Sequence, residues 1–121
     1  MIVLRAATDA DFRAFFGKEP PSVWTALCGD RAGEIIGIGG VVYSDDGIAV
    51  AFVDVRERHA MTMHRAALRF MAVMKEVGEP VIYTACDEMI PRASAWLLRL
   101  GFKLLPDRVE DKEIWQWQPY R

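Results

Sequence analysis

The chain opens with a short apolar run, typical of a strand, and then changes to the period of a helix. Residues 2–5 form a short apolar run, and Thr8 stands three positions before Asp11, which is the spacing of a helix N-cap. Three phenylalanines then fall on one helical face at positions i, i+3 and i+4: Phe12, Phe15 and Phe16. A strand followed by a short amphipathic helix is therefore predicted.

Three apolar stretches in the first half of the chain predict an antiparallel meander. Residues 22–29 and 34–43 are rich in Val, Ile and aromatic side chains, and the polar turn at 30–33 between them is typical of a hairpin. Residues 48–55 continue with almost unbroken apolar character, which is expected of a strand covered on both faces. This third strand is predicted to lie in the middle of the sheet.

The longest helix is predicted over residues 60–77. Its apolar stripe consists of Met63, Ala67, Phe70, Met74 and Val77. Residues 81–84 then form a buried-type strand. Because a helix joins this strand to the one at 48–55, the two strands should be parallel, with a right-handed crossover.

A further amphipathic helix is predicted at residues 91–101. Proline at its first turn and glycine at its end are the usual helix start and stop signals. Strands at 102–105 and 114–118 follow, and a charged turn at 107–112 separates them.

Two tryptophans in the last strand, Trp115 and Trp117, share one face by strict alternation. Their indoles are expected to pack in the core. The alternative is that they anchor a dimer, since tryptophans often dominate protein interfaces.

Composition narrows the class of protein. The chain has 121 residues and a net charge of −2 from interspersed signs, without the basic stripe that a phosphate backbone needs, so nucleic acid is excluded as a partner. No apolar run approaches the roughly 18 residues of a membrane span. Nothing at the start resembles a secretory signal, so a cytoplasmic location is expected. Cys28 and Cys86 are predicted to be buried thiols.

Two features of the chain resemble the Gcn5-related N-acetyltransferases (GNAT). They are the predicted order of elements, β-α-β-β-β-α-β-α-β-β, and the sequence of residues 92–102. In that family the penultimate helix typically ends in Leu-Tyr-x-x-x-Gly-Phe, and Trp96, Leu97, Gly101 and Phe102 occupy those places here. The family glycine takes the left-handed C-cap, and the aromatic residue anchors the next strand.

A second resemblance lies in the glycine-rich sequence at 37–42, which is similar to the family's central strand. The alternative is close packing at a bulge. The resemblance as a whole implies one α/β (α+β) domain over residues 1–121 with a mixed central sheet. Its parallel strands, at 48–55 and 81–84, should splay apart and admit acetyl-CoA between them.

The resemblance also implies a place for the CoA pyrophosphate. GNAT enzymes hold it with Gln/Arg-x-x-Gly-x-Gly/Ala at the start of the long helix, because bare amides at a helix N-terminus approach phosphates closely. Alignment on Leu68, taken as the first large core leucine, puts this motif on His59, Thr62 and His64, which lack the small residues. The implied cofactor site comprises Val53, Val55, Arg56, Arg58, His59, Ala60, Met61, Thr62, Met63 and His64.

Candidate catalytic residues are few. A base for the amine is predicted at Asp54, where desolvation inside an apolar run would raise its pKa, or at Glu57 just beyond the strand. The structural alternative for Asp54 is a carboxylate satisfied by amides. The family's usual acid, the tyrosine of the helix motif, is replaced by Leu97, which carries no proton. No metal site is predicted, because His59 and His64 lie on different helix faces.

These observations lead to two hypotheses on function. The first is a GNAT-type N-acetyltransferase that transfers an acetyl group from acetyl-CoA to a small-molecule or protein amine. Only four residues, 18–21, separate the first helix from the next strand, so its acceptor pocket should be open. The alternative is a GNAT-fold protein without catalysis, a binding or virion assembly module resembling short acetyltransferase-like phage proteins, with a homodimer or virion partner.

Overall fold

The computed structural model describes residues 2–56, 60–86 and 92–118, of which residues 60–62 are described by their backbone. The described elements are β1 (Val3–Ala6), α1 (Asp9–Phe16), β2 (Trp24–Arg31), β3 (Glu34–Tyr43), β4 (Ala49–Val55), α2 (Ala60–Glu76), β5 (Ile82–Cys86), α3 (Ala93–Leu100), β6 (Lys103–Val109) and β7 (Lys112–Trp117). The predicted order of elements is confirmed. No helix within these ranges has both the length and the apolar composition needed to cross a membrane.

The described strands form one mixed sheet in the order β1-β2-β3-β4-β5-β7-β6. β4 and β5 are parallel, and every other neighbouring pair is antiparallel. β4 therefore lies in the middle of the sheet, as predicted.

Two apolar clusters cover opposite faces of the sheet. The larger cluster joins α2 and α3 to the sheet through Val41, Ala49, Met74, Ile82, Cys86, Leu97, Leu100, Phe102 and Trp115. The smaller cluster joins α1 to the other face through Phe12, Ala26, Cys28, Ile35 and Ile38. We call these the α2/α3 face and the α1 face.

The start of α1 is held by the predicted cap. The Thr8 hydroxyl accepts from the Asp11 amide, and the Asp11 carboxylate accepts from the Thr8 amide, which completes a capping box. Arg5 on β1 donates two hydrogen bonds to Asp11 and a third to Asp30 on β2. These contacts hold the pKa of Asp11 well below its usual range, chiefly through the Arg5 guanidinium.

The end of α3 confirms the glycine stop. Gly101 has φ 98°, in the left-handed region, and its amide donates to the Leu97 and Leu98 carbonyls. The next residue, Phe102, is buried and stacks on Trp117 with ring centroids 6.5 Å apart.

The charged turn between the last strands is shorter than predicted. β6 continues to Val109, and the reversal uses only Glu110 and Asp111, whose φ angles of 51° and 64° are those of a tight type I′ hairpin. The prediction of a turn at 107–112 is wrong because exposed charged residues on an edge strand look like a loop in the sequence.

The helix predicted at 60–77 is confirmed, but two of its interpreted positions are not. Val77 is 66% exposed, so it does not belong to the core stripe. Leu68, on which the pyrophosphate motif was aligned, is 49% exposed, so the assumption that it is a core leucine is wrong. The motif positions derived from it lose their structural basis.

The tryptophans and cysteines lie as the sequence predicts. Trp115 is buried and Trp117 packs against the larger cluster, on a strand that lies inside the sheet. Cys28 and Cys86 are both buried and form no disulfide. Burial raises the pKa of the Cys28 thiol.

Candidate functional site

The sheet opens between its two parallel strands. β4 and β5 pair only at Ala49 with Ile82 and at Val50 with Tyr83, although both strands run on for several residues. The predicted splay is therefore confirmed. Its start is marked by Thr84, whose hydroxyl donates to the Ala51 carbonyl at 3.2 Å in place of a ladder hydrogen bond.

The edge of β4 beyond this point turns backbone groups towards the gap. In an antiparallel pair, successive residues alternate in the direction of their amide and carbonyl groups. The Phe52 carbonyl lies against Gly39 of β3, and the Ala51 carbonyl faces β5. The amide and carbonyl of Val53 must therefore face the gap, where they can bind an extended ligand.

A cavity of about 150 Å³ lies behind the gap, between the α2/α3 face of the sheet and the two helices. Ala51, Val53 and Thr84 line it at the gap, and Met63 and Phe70 line it from α2. Its described lining is almost wholly apolar. Such a slot can accept the uncharged arm of a ligand whose charged end stays outside.

The N-terminus of α2 lies near the open end of the gap, because α2 begins only a few residues after β4 ends. Its first turn carries no acidic residue. Amide groups at such a helix end favour a bound anion.

Comparison with solved structures identifies the fold. A ribosomal-protein-S18-alanine N-acetyltransferase from Escherichia coli superposes with a TM-score of 0.78 at 11% identity, over 100% of this chain and 96% of that one. A phosphinothricin acetyltransferase of the GNAT superfamily from Sinorhizobium meliloti, in complex with acetyl-CoA, gives 0.74 at 15% identity over 97% and 88%. The chain has the GNAT fold.

A third GNAT neighbour is yncA of Salmonella typhimurium, assigned as an acetyltransferase and solved with its cofactor acetyl-CoA. It superposes with a TM-score of 0.78 at 13% identity, over 100% of this chain and 95% of that one. No protein-family model and no curated protein matches the sequence. The likeness is thus one of fold at low identity.

Apart from Arg56 and His64, the predicted cofactor residues divide into three groups in this GNAT fold. Val53, Val55 and Met63 line the cavity. Ala60, Met61 and Thr62 form the first turn of α2. The cofactor residues Arg58 and His59 lie outside the described residues, as does the predicted base Glu57, so their predicted roles stay predictions.

His64 was predicted to face the anion site, but it bridges the two helices of the α2/α3 face. Its Nδ1 accepts from the indole Nε1 of Trp96 at 3.3 Å, across from α2 to α3. Because Nδ1 accepts this hydrogen bond, it carries no proton. The bond joins the imidazole of α2 to the indole of α3.

Arg56 also departs from its predicted place. Its guanidinium lies over the Phe15 ring, with Cζ 4.6 Å from the centroid, and donates to the Phe15 carbonyl at 3.3 Å. A cation is favoured there because α1 ends at that point. The Arg56 side chain thus lies at the end of α1 on the opposite face, and its predicted contribution to the anion site stays a prediction.

Asp54, the predicted base, is not desolvated. Its side chain is exposed, and its pairing with Ile38 of the smaller cluster puts it on the α1 face. The expectation of a buried carboxylate is wrong because the splay and the short α1 leave this end of β4 open. Its predicted role as a base stays a prediction.

Two residues at the gap were missed in the sequence. The Thr84 hydroxyl bridges β5 to β4 at the point where the two strands begin to separate. Phe52 lines both the cavity and a second hollow on the α1 face, next to Phe12, Phe16 and Pro20. A threonine in a strand predicted to be of the buried type was the available signal for Thr84. Nothing in the sequence distinguished Phe52 from an ordinary core residue.

Leu97 stands at the position where the resemblance expects the family's tyrosine. Leu97 is buried and lines the cavity, so it contributes packing and no proton.

Proposed function

We propose that the protein is a GNAT-type N-acyltransferase that uses acetyl-CoA to acylate an amine, in the cytoplasm. The observation that carries this proposal is the opening between β4 and β5 onto an apolar slot beside the N-terminus of α2. Fold neighbours from Salmonella typhimurium and Sinorhizobium meliloti were solved with acetyl-CoA, which supports the same ligand class here.

The described residues fit the three parts of acetyl-CoA. The apolar walls around Met63 and Phe70 suit the uncharged pantetheine arm. The pyrophosphate would lie at the first turn of α2, which carries no acidic residue of its own. The thioester would then come near Ala51 and Thr84.

The chemistry that acetyl-CoA supplies is an activated acetyl group, whose carbon–sulfur bond breaks while a bond to the amine nitrogen forms. The amine gives up one proton, and the sulfur leaves as a thiolate. The hollow beside Phe52 on the α1 face would receive the amine. Asp54 lies on that face and would take the proton, either directly or through water.

The backbone amide of Val53 would stabilise negative charge on the carbonyl oxygen, because it points into the gap. The Thr84 hydroxyl donates to Ala51 and thereby holds the gap at its narrow end. It acts in this proposal as a positioning residue.

Calorimetric titration with acetyl-CoA and with CoA tests the proposal. Binding of at least one ligand in the micromolar range is expected, together with a rise in melting temperature. If neither ligand gives binding heat or raises the melting temperature at concentrations up to millimolar, the proposal is contradicted. That result would favour the alternative, a GNAT-fold binding or assembly module.

A matched pair of variants locates the bound ligand. Met63→Glu puts a negative charge at the cavity near the first turn of α2 and should weaken acetyl-CoA binding at least about tenfold. Val73→Glu adds the same charge to an exposed position of the same helix and should leave binding within about twofold. Equal effects of the two variants would place the ligand elsewhere.

A further inference from the structure

We propose that the hollow on the α1 face selects the acceptor, and that the acceptor is a primary amine with an aromatic ring on a short alkyl spacer. This inference rests on the proposed function, because it uses the same hollow for the amine. It adds the chemical class of the acceptor. The lining of the hollow, its level along β4 and its charges all favour this class.

Three aromatic rings stand together in the lining of the hollow. Its apolar lining comes from α1, the segment after α1, β3 and β4: Phe12, Phe16, Pro20, Pro21, Val42 and Phe52. The ring centroid of Phe16 lies 4.6 Å from that of Phe12 and 6.2 Å from that of Phe52. Aromatic rings pack favourably at such distances when they are tilted or edge to face. A further ring can therefore join the cluster in the same way.

The hollow also has the space and the uncovered surface that a ring needs. Its volume is about 400 Å³, which is in the range of small-molecule sites. Phe12 is 5% exposed, whereas Phe16 and Phe52 are only partly buried. An aromatic acceptor would remove this remaining apolar surface from water, and an acceptor without a ring would leave it exposed.

The level of the hollow along β4 places a bound ring beside the reacting centre. Val42 of β3 pairs with Val50 of β4, and Phe52 stands two residues further along β4. Ala51, near which the thioester would lie, is between these two positions. The hollow lies over β3 and β4, and the gap follows the other edge of β4, so about one strand spacing of 4.8 Å separates them. A short alkyl spacer can carry the nitrogen from the ring to the gap.

The charges around the hollow favour an acceptor with a single ammonium. Asp54 lies on the same face as Phe52, about 7 Å along β4, where it can attract the reacting ammonium. Two charged residues line the hollow itself, Lys18 and Glu19. The Glu19 carboxylate accepts from Nε of Arg13 at 2.8 Å, so its charge is matched. A second ammonium in the hollow would meet the like charge of Lys18, which disfavours a polyamine.

Calorimetric titration of amines into the protein saturated with CoA tests the inference without turnover. 2-Phenylethylamine and ethylamine differ by one ring, so their affinity ratio measures the contribution of that ring. We expect 2-phenylethylamine to bind at least about tenfold more tightly than ethylamine, and also more tightly than spermine. Equal affinities for 2-phenylethylamine and ethylamine would overturn the inference. Tighter binding of spermine would assign the hollow to cations and would overturn it as well.

A matched pair of valine variants locates the bound ring. Val42→Phe adds a ring to the lining and occupies the space of the acceptor, so it should lower the affinity ratio at least about fivefold. Val109→Phe makes the same change at a 57% exposed position of β6 and should keep the wild-type ratio. A ratio that both variants leave unchanged, or lower equally, would overturn the inference.

A third variant keeps the test valid if Val42→Phe destabilises the fold. Phe16→Leu retains an apolar side chain at a partly buried position but removes one ring from the hollow. Because one aromatic contact is lost, the affinity ratio should fall at least about twofold. An unchanged ratio in folded Phe16→Leu protein would contradict the placement of the ring.

The outcomes separate this inference from the proposed function. Failure of both CoA and acetyl-CoA to bind the wild-type protein would overturn the proposed function, and this inference with it. Binding of CoA together with equal affinities for 2-phenylethylamine and ethylamine would overturn this inference alone.

Discussion

The two halves of β4 belong to one nearly unbroken apolar run but lie in opposite environments. Ala49 is 1% exposed and Val50 is partly buried, and both pair with β5. Val53 is 50% exposed and Asp54 is exposed, although they continue the same strand in the middle of the sheet. The difference comes from the neighbour: the first half has β5 beside it, and the second half faces the gap. Stability should therefore reside in the closed half, and ligand binding in the open half.

Two side-chain hydrogen bonds lie along the closed half. Tyr43, which pairs with Ala49, donates its hydroxyl to the Glu79 carboxylate at 2.9 Å, before β5 begins. Thr84 donates to the Ala51 carbonyl at 3.2 Å, where the ladder ends. The Tyr43 hydrogen bond connects β3 to the segment before β5, and the Thr84 hydrogen bond connects β4 to β5 directly.

The largest effect is expected at Ile82, in the closed half. It is 2% exposed and pairs with Ala49, so Ile82→Ala should lower the free energy of unfolding by about 3 kcal/mol through lost burial and a cavity. Urea unfolding measures the change. Val53→Ala, in the open half, should cost less than about 1 kcal/mol because half of the side chain is already exposed. Similar costs at both positions would contradict the comparison.

A smaller effect is expected at Tyr43. Tyr43→Phe removes a hydrogen bond to a carboxylate and should cost about 1.5 kcal/mol at pH 7, measured by the same unfolding experiment. A cost below about 0.5 kcal/mol would show that this bond does not help to hold the closed half.

Tyr43 also predicts a dependence on pH. Burial, followed by the Glu79 carboxylate, raises the pKa of Tyr43 from 10.0 to about 12. The neutral phenol therefore stabilises the fold fully below pH 10, and this contribution is lost as the pH rises from 10 to 12, because the unfolded chain ionises first. Wild-type protein should lose stability over that interval more steeply than Tyr43→Phe. Parallel curves would contradict the assignment.

A third effect, of about 1 kcal/mol, is expected at the boundary between the halves. Thr84→Val keeps the shape of the side chain but removes the donor to the Ala51 carbonyl, whereas Thr84→Ser keeps the hydroxyl. If the hydroxyl holds the narrow end of the gap, Thr84→Val should also change the affinity for acetyl-CoA, and Thr84→Ser should recover most of it. Loss in both variants would indicate packing instead of the hydrogen bond.

The sequence predicted the fold because local signals and long-range order agreed. The cap at Thr8, the glycine at Gly101 and the alternation of Trp115 and Trp117 each act within a few residues, and the structure confirms all of them. The parallel pair followed from the helix between two apolar strands, which leaves few topologies. The resemblance to GNAT enzymes depended on this order of elements.

The site was less predictable than the fold because the environment of its residues depends on where a neighbouring strand is absent. The apolar run that holds Asp54 predicts burial on average, yet the splay removes the neighbour that would bury it. Arg56 follows the strand in the sequence, but the direction of its side chain is decided by Phe15 and the end of α1, about forty residues earlier. Leu68 was assumed to be a core leucine in order to align the pyrophosphate motif, but it lies outside the predicted apolar stripe of α2 and is 49% exposed.

The smallest effect on stability, and the most informative one on function, is expected at Asp54 in the open half. Because its side chain is exposed, Asp54→Asn should change the free energy of unfolding by less than about 0.5 kcal/mol. If Asp54 accepts the proton of the amine, the same variant should bind acetyl-CoA normally and release CoA at least about 100-fold more slowly with a responsive amine, tried among lysine, spermine and an alanine-initiated peptide. Asp46→Asn, an exposed aspartate in the turn before β4, is the matched control and should keep both binding and rate. An unchanged rate in Asp54→Asn would assign the open half of β4 to binding alone.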